Sequence, residues 1–250
     1  MSSSSSSSRL INSIRCIGVS RDIGVYPNQR LAFDKVFSTE LSLINIAERV
    51  YLKLRELDFR LLGFSEIHLH FYPDTNVGVK NASSDGVHLW KRDVLIAISL
   101  TQWRRLDQFE QEEELIKLIC QACRFVSSNN NLEIVDTAET ALLEQRERLS
   151  IKVFEKSIKS YRIGVFCLVP STEGQIASQI LYEDNKTGQW YRADFVKTGY
   201  VPELIHLCGL VTVKNGEITV LPRKGHFASS IAWKYGSPIR FQISNMVSVK

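Results

Sequence analysis

The sequence carries no complete catalytic, metal-binding or nucleotide-binding motif. G-x-S-x-G is missing, as is S-x-x-K at a strand–helix turn, so the familiar nucleophile motifs are excluded. G-x-x-x-x-G-K-[ST] and G-x-G-x-x-G are missing too, which removes the common phosphate-cradling loops. No apolar run approaches the roughly 18–20 residues that cross a bilayer, so no membrane association is expected. Cysteine is sparse. The five (Cys16, Cys120, Cys123, Cys167 and Cys208) are odd in number, loosely spaced and set in apolar segments. A reduced, cytoplasmic protein is the expectation they give. Met1 is followed by seven serines, and Leu10-Ile11 gives way to Asn12-Ser13 before any signal-peptide core can form. Residues 1–8 are expected to be a disordered serine tail, or else an artificial extension.

Proline is also unevenly supplied, with none between Pro73 and Pro170, then Pro170, Pro202, Pro222 and Pro238 in close succession. The long helix-like segments lie before residue 160 and short β-type runs after it. This pattern predicts an α+β fold, with a helix-and-strand N-terminal part (9–126) and a linker plus bridging helix (127–159). An antiparallel, barrel- or sandwich-like β-rich part (160–250) follows. Charge divides similarly. Residues 1–150 hold 18 Lys+Arg against 20 Asp+Glu, and residues 151–250 hold 13 against 7, within a total of +4.

Leu41, Ile44, Ala47, Val50, Tyr51, Leu54 and Leu57 recur at steps of three and four, predicting a helix over 39–58. Residues 65–72 alternate, with Ile67, Leu69 and Phe71 on one side, and read as a half-buried strand. A polar loop is expected over 74–86 and a second strand within 87–100, centred on Val94–Ile98. A second helix over 108–126 opens with Glu110, Glu112, Glu113 and Glu114, which suits the positive end of its dipole. A third, charged on most sides, is read over 135–159. Strands follow at about 162–169, 176–183, 189–196, 207–214, 217–221, 227–234 and 239–247. Asn215-Gly216 supplies the positive φ angles of a type I′ hairpin.

Three constellations bear on function. His68 and His70 share one strand face with Glu66, and His88 opens the next strand, a set whose donors suit zinc or ferrous iron. A solvated sheet face is the plainer reading of the same pattern. Cys120-x-x-Cys123 has no second pair and falls on a helical apolar stripe, so it reads as core. Residues 223–241 interleave Arg223, Lys224, His226, Phe227, Trp233, Lys234, Tyr235, Arg240 and Phe241, as stacking surfaces for single-stranded nucleic acid do.

The leading expectation is a non-enzymatic protein-binding module without a cofactor. One concrete form is a bacterial immunity protein, a small motif-poor α+β type that neutralises a toxin by covering its active site. Tyr72, Trp90, Trp103, Trp190 and Trp233 are the candidate anchors, with Arg104, Arg223 and Lys224 as steering cations. The second expectation is a metal-dependent hydrolase or oxygenase using His68, His70, Glu66 and His88. The third is a nucleic-acid-binding protein using Arg223, Lys224, Trp233 and Arg240.

Overall fold

The computed structural model describes residues 8–19, 36–83, 89–127 and 131–249. The chain has the α+β architecture and divides into two compact units. The first comprises Met1–Leu149 with Ser171–Glu173, the second Ser150–Pro170 with Gly174–Lys250. Counted on these bounds, the first unit holds 18 basic and 21 acidic residues, net −3, and the second 13 and 6, net +7.

The first unit is built on a four-stranded sheet of β2 (Ser13–Val19), β4 (Glu66–Pro73), β6 (Lys91–Ile98) and β5 (Gly78–Ser83), in the order β2-β4-β6-β5. β2, β4 and β6 run parallel and β5 antiparallel to β6. Two short strands, β1 (Ser8–Leu10) and β3 (Arg60–Leu62), pair separately. Helix α1 (Leu43–Glu56) forms within the predicted span, but Ile44, expected on its apolar stripe, is 60% exposed, and Leu43 and Ile46 are buried instead. Leu43, Ile46, Ala47, Val50, Tyr51 and Leu54 are buried, and the Ser42 hydroxyl caps the Asn45 N–H at 3.3 Å. A short helix α2 (Leu100–Trp103) follows β6, and α3 (Gln108–Val126) begins at a capping box of Asp107 and Glu110. Leu115, Ile116, Ile119, Cys120 and Cys123 make its buried stripe.

Three expectations for this half need correction. The polar stretch 74–86 contains strand β5, formed by pairing with β6 rather than by its own composition. β4 is covered on both faces, since His68 and Tyr72 are buried alongside Ile67, Leu69 and Phe71. The third helix, α4 (Leu132–Gln145), stops far short of residue 159, at Arg146 with φ 50°. Ile151–Ser157 is strand β7, which belongs to the second unit and pairs antiparallel with β8 (Tyr161–Leu168). A hairpin ladder to the next strand, across the short connection 158–160, outweighs the helical propensity of so charged a segment.

In the second unit β7, β8, β9 (Ile176–Asp184), β10 (Gln189–Thr198) and β14 (Val247–Val249) form an open antiparallel sheet, ordered β14-β10-β9-β8-β7. β11 (Leu210–Lys214), β12 (Glu217–Leu221) and β13 (Ile239–Gln242) form another. Among the described residues there is no closed barrel, because these sheets end in unpaired strands. Helix α5 (Val201–Leu207) starts with Pro202 in its first turn. The segment 227–234, expected as a strand, is helix α6 (His226–Lys234). Its Ala228 and Ile231 are buried at a spacing of three, a helical period that overrides the β-like aromatics around it.

Two glycines in this unit are structurally obligatory. Asn215 (φ 52°) and Gly216 (φ 75°) make the expected hairpin between β11 and β12, with Lys214 opposite Glu217. Gly209, by contrast, is required by space, because a Cβ there would run into the backbone of Pro222 and Arg223. Its N–H donates to Leu221 O at 2.9 Å, so the chain cannot simply move away. Gly209→Ala is therefore expected to cost at least about 1–3 kcal/mol, the range for overpacking. Urea unfolding against wild type measures it, and an unchanged midpoint would contradict the steric account.

Candidate functional site

Helix α6 has few inward contacts and a bare outer side. With Ala228 and Ile231 turned inward, the 100° step places His226, Ser229, Ser230 and Trp233 on the opposite face. All four are exposed, and Trp233 is 89% exposed. Phe227 stands beside this face, half exposed, with its ring edge-on to His206 at 5.0 Å and 84°. The Ser229 and Ser230 hydroxyls donate back to Gly225 O (3.0 Å) and Phe227 O (2.8 Å). Their polarity is satisfied locally, leaving the indole as the dominant feature of the surface.

The helix is held by a buried carboxylate. Glu203, on α5, accepts from the Lys234 ammonium at 2.6 Å, the Tyr235 hydroxyl at 2.7 Å and the Gly199 N–H at 3.1 Å. Burial pushes this carboxyl up, but the three donors outweigh it and hold the group below its ordinary value of 4.5. Burial and the nearby Arg223 charge together lower His206, which is neutral at pH 7.

The depressed Glu203 pKa fixes the sign of a pH effect. Its contribution to stability is complete above 4.5 and is lost as pH falls through the lower folded-state value. The difference in Tm between wild type and Glu203→Gln should thus be constant from pH 7 to about 5 and narrow below it. Thermal melts across that range measure this, and a gap that widened on acidification would refute it.

Cations near α6 differ in their freedom. Lys234 is committed to Glu203, and Arg240 pairs with Glu217 at 3.1 Å. Arg223 and Lys224 are exposed and have no ion-pair partner among the described residues. They lie just before the helix, following the tight passage at Gly209.

The histidine pair of β4 lies elsewhere, in the first unit. Arg15 Nε contacts Glu66 Oε2 at 3.2 Å, and His68 Nε2 contacts the same oxygen at 3.3 Å. His70 Nε2 lies 2.9 Å from Asp93 Oδ1, and Lys91 Nζ 3.1 Å from Asp93 Oδ2. Burial lowers the His68 pKa despite the pull of Glu66, so that ring is neutral at pH 7. Burial raises Asp93, but His70 and Lys91 together bring it below the usual range. Each carboxylate is already matched by a cation. Among the described residues no group of three or more His, Cys, Asp or Glu is arranged to hold a metal ion, and His88 lies outside them. Cys120 and Cys123 are buried, and burial drives both thiols up, Cys123 to about 12, far from a reactive thiolate.

The expected anchors are thus dispersed. Tyr72 and Trp103 are 6% and 1% exposed and are corrected from surface anchors to buried groups. The Trp103 indole N–H donates to Phe37 O at 3.0 Å, and its ring meets Phe37 edge-on. Trp90 is partly exposed and packs edge-on against His68 at 5.9 Å. Trp190 is half-buried in β10, and Arg104 is exposed beyond α2. Of the eight anchor and cation positions, Arg223 and Lys224 lie just before α6 and Trp233 in its last turn. Glu203 escaped sequence reasoning because its partners Lys234 and Tyr235 lie 31 and 32 residues away. Ala228, Ile231 and Ala232, at helical spacing after Gly225, were the available signal for α6 itself.

The chain matches no protein-family model, and no curated protein or solved structure matches it either. Fold and surface define it as a two-unit α+β protein with a basic second unit that displays a tryptophan-bearing helix.

Proposed function

We propose that the chain is a non-catalytic protein-binding module whose α6 face docks on an acidic patch of a partner protein. The exposure of Trp233 carries this reading. An indole is the side chain most often found as an energetic anchor in protein interfaces, and this one is spent on no internal packing. The net charge of +7 on its unit, with Arg223 and Lys224 uncommitted just before the helix, gives the partner its sign.

Magnitudes favour protein over nucleic acid at this face. Two uncommitted cations would release about two counterions from a single strand, for a salt slope near −1.4. That is a weak electrostatic hold, and the convex helix offers no groove to track a phosphate backbone. The concrete form of the proposal is toxin neutralisation, in which Trp233 enters an active-site cleft rimmed by carboxylates.

The test is a photo-cross-linking amino acid at Ser229, one helical turn from Trp233, introduced into the full chain in its host. A discrete protein adduct, resistant to nuclease and lost in Trp233→Ala, is the expected result. An adduct to nucleic acid, or protein adducts indifferent to Trp233→Ala, would overturn the proposal.

A further inference from the structure

A second site lies in the first unit, at the carboxyl ends of its parallel strands. A cavity of about 360 Å³ opens where β6 ends at Ile98, between the β4–β5 connection, helix α2 and the start of α3. The position is the one at which sheets with parallel strands commonly receive ligands, and the volume falls in the range of small-molecule sites. Val77, Ile98, Trp103 and Leu106 give it an apolar lining. That lining is preformed. The Trp103 indole is fixed by its bond to Phe37 O, and Gln111 Nε2 donates to Trp103 O (3.2 Å) and Leu106 O (3.3 Å). The Ser99 hydroxyl caps α2 at the Gln102 N–H, and the box of Asp107 and Glu110 fixes the start of α3.

Two charges of opposite sign complete the lining, Arg105 from the turn after α2 and Glu114 from α3. Their neighbours are committed elsewhere, with Glu113 held by Lys117 (2.6 Å) and Arg146 (3.0 Å). Among the described residues neither Arg105 nor Glu114 has an opposite charge within 4 Å, although the more distant Lys117 also feels the Glu114 charge. An apolar cavity bounded by a guanidinium and a carboxylate, neither in contact with an opposite charge among the described residues, matches a small zwitterion with an apolar tail. We propose that this cavity binds a free α-amino acid with a large apolar side chain. The carboxylate pairs with Arg105, the ammonium with Glu114, and the side chain packs against Trp103 and Leu106.

Calorimetric titration of the full chain with L-phenylalanine tests this. A ligand of that size in a preformed site is expected to bind with a Kd of about 0.1–1 mM. Three comparisons define the chemistry. 3-Phenylpropionate lacks the ammonium, phenethylamine lacks the carboxylate and glycine lacks the side chain, and each should bind at least about tenfold more weakly, the loss of one charged or apolar contact. Arg105→Ala alters an exposed side chain, so its fold is expected to survive, and it should weaken L-phenylalanine by a similar factor. Leu106→Trp fills the chamber and should abolish binding, with an unchanged circular dichroism spectrum as its control. If L-phenylalanine, L-leucine and L-methionine all fail to bind at about 10 mM, ten times the weakest expected Kd, the proposal fails. It also fails if binding survives Arg105→Ala and Leu106→Trp alike, or if 3-phenylpropionate binds as tightly as the amino acid.

Discussion

Replacing Glu112 with alanine is expected to remove about 3–5 kcal/mol of stability from the first unit, the usual result of leaving a buried charge unpaired. The charge is Arg49, whose side chain is fully buried. One nitrogen, Nη2, is 2.6 Å from Glu112 Oε1 and 3.0 Å from the Ser171 hydroxyl, which belongs to the same unit. The other two, Nε and Nη1, have no hydrogen-bond partner among the described residues. The guanidinium is thus already short of acceptors, and it cannot escape by losing its proton. At roughly 2–4 °C per kcal/mol for a unit of this size, Tm should fall by about 6–20 °C. Ser171→Ala removes only a neutral acceptor and should cost about 1 kcal/mol. The reciprocal experiment separates charge from packing. Arg49→Met combined with Glu112→Leu removes both ions and should recover most or all of the loss, since burying a matched pair costs about as much as the pair returns. Differential scanning calorimetry, which resolves the two units if they melt separately, is the measurement. A double variant as unstable as Glu112→Ala would mean that the site depends on shape, not charge compensation.

That buried pair also marks the limit of what sequence discloses. Arg49 lies opposite the apolar stripe of α1 in a helical projection and reads as a solvated residue. Its burial comes from α3 and from Ser171, 122 residues away. Where structure rests on neighbours in sequence, the prediction and the molecule agree. The span of α1, the start of α3 and the Asn215-Gly216 hairpin all depend on contacts within a few residues. Where structure rests on strand pairing or on packing rather than on a segment's own composition they part. β5 and β7 owe their conformation to β6 and β8, and α6 turns a β-like aromatic run into a helix by packing Ala228 and Ile231 inward. The candidate surface divides in the same way. Aromatic and basic residue types are visible in the sequence, but exposure is a tertiary property. Nothing local distinguishes Trp103, sealed beneath Phe37, from Trp233, which stands clear of the surface.

Trp233→Ala is expected to weaken binding of the partner protein by about 30- to 1,000-fold, the 2–4 kcal/mol of an interface hot spot. The same change should leave stability within about 0.5 kcal/mol, as surface substitutions do, because the indole is 89% exposed and its removal opens no cavity. This separation of affinity from stability makes the prediction discriminating. Glu203→Gln should lower both, since it loosens Lys234 and Tyr235 and with them the C-terminal end of the helix that presents the indole. Arg223→Ala and Lys224→Ala act differently again. Exposed cations at the rim of an interface mainly govern encounter, so each should slow association and flatten its salt dependence while changing dissociation little. Trp233→Phe keeps a ring of smaller area and should recover part of the loss. Biolayer interferometry on the cross-linked partner, with paired thermal melts, measures all of these. If Trp233→Ala bound as tightly as wild type while Glu203→Gln still lost affinity, the anchor would be Phe227, whose ring lies on the adjoining side of the same helix.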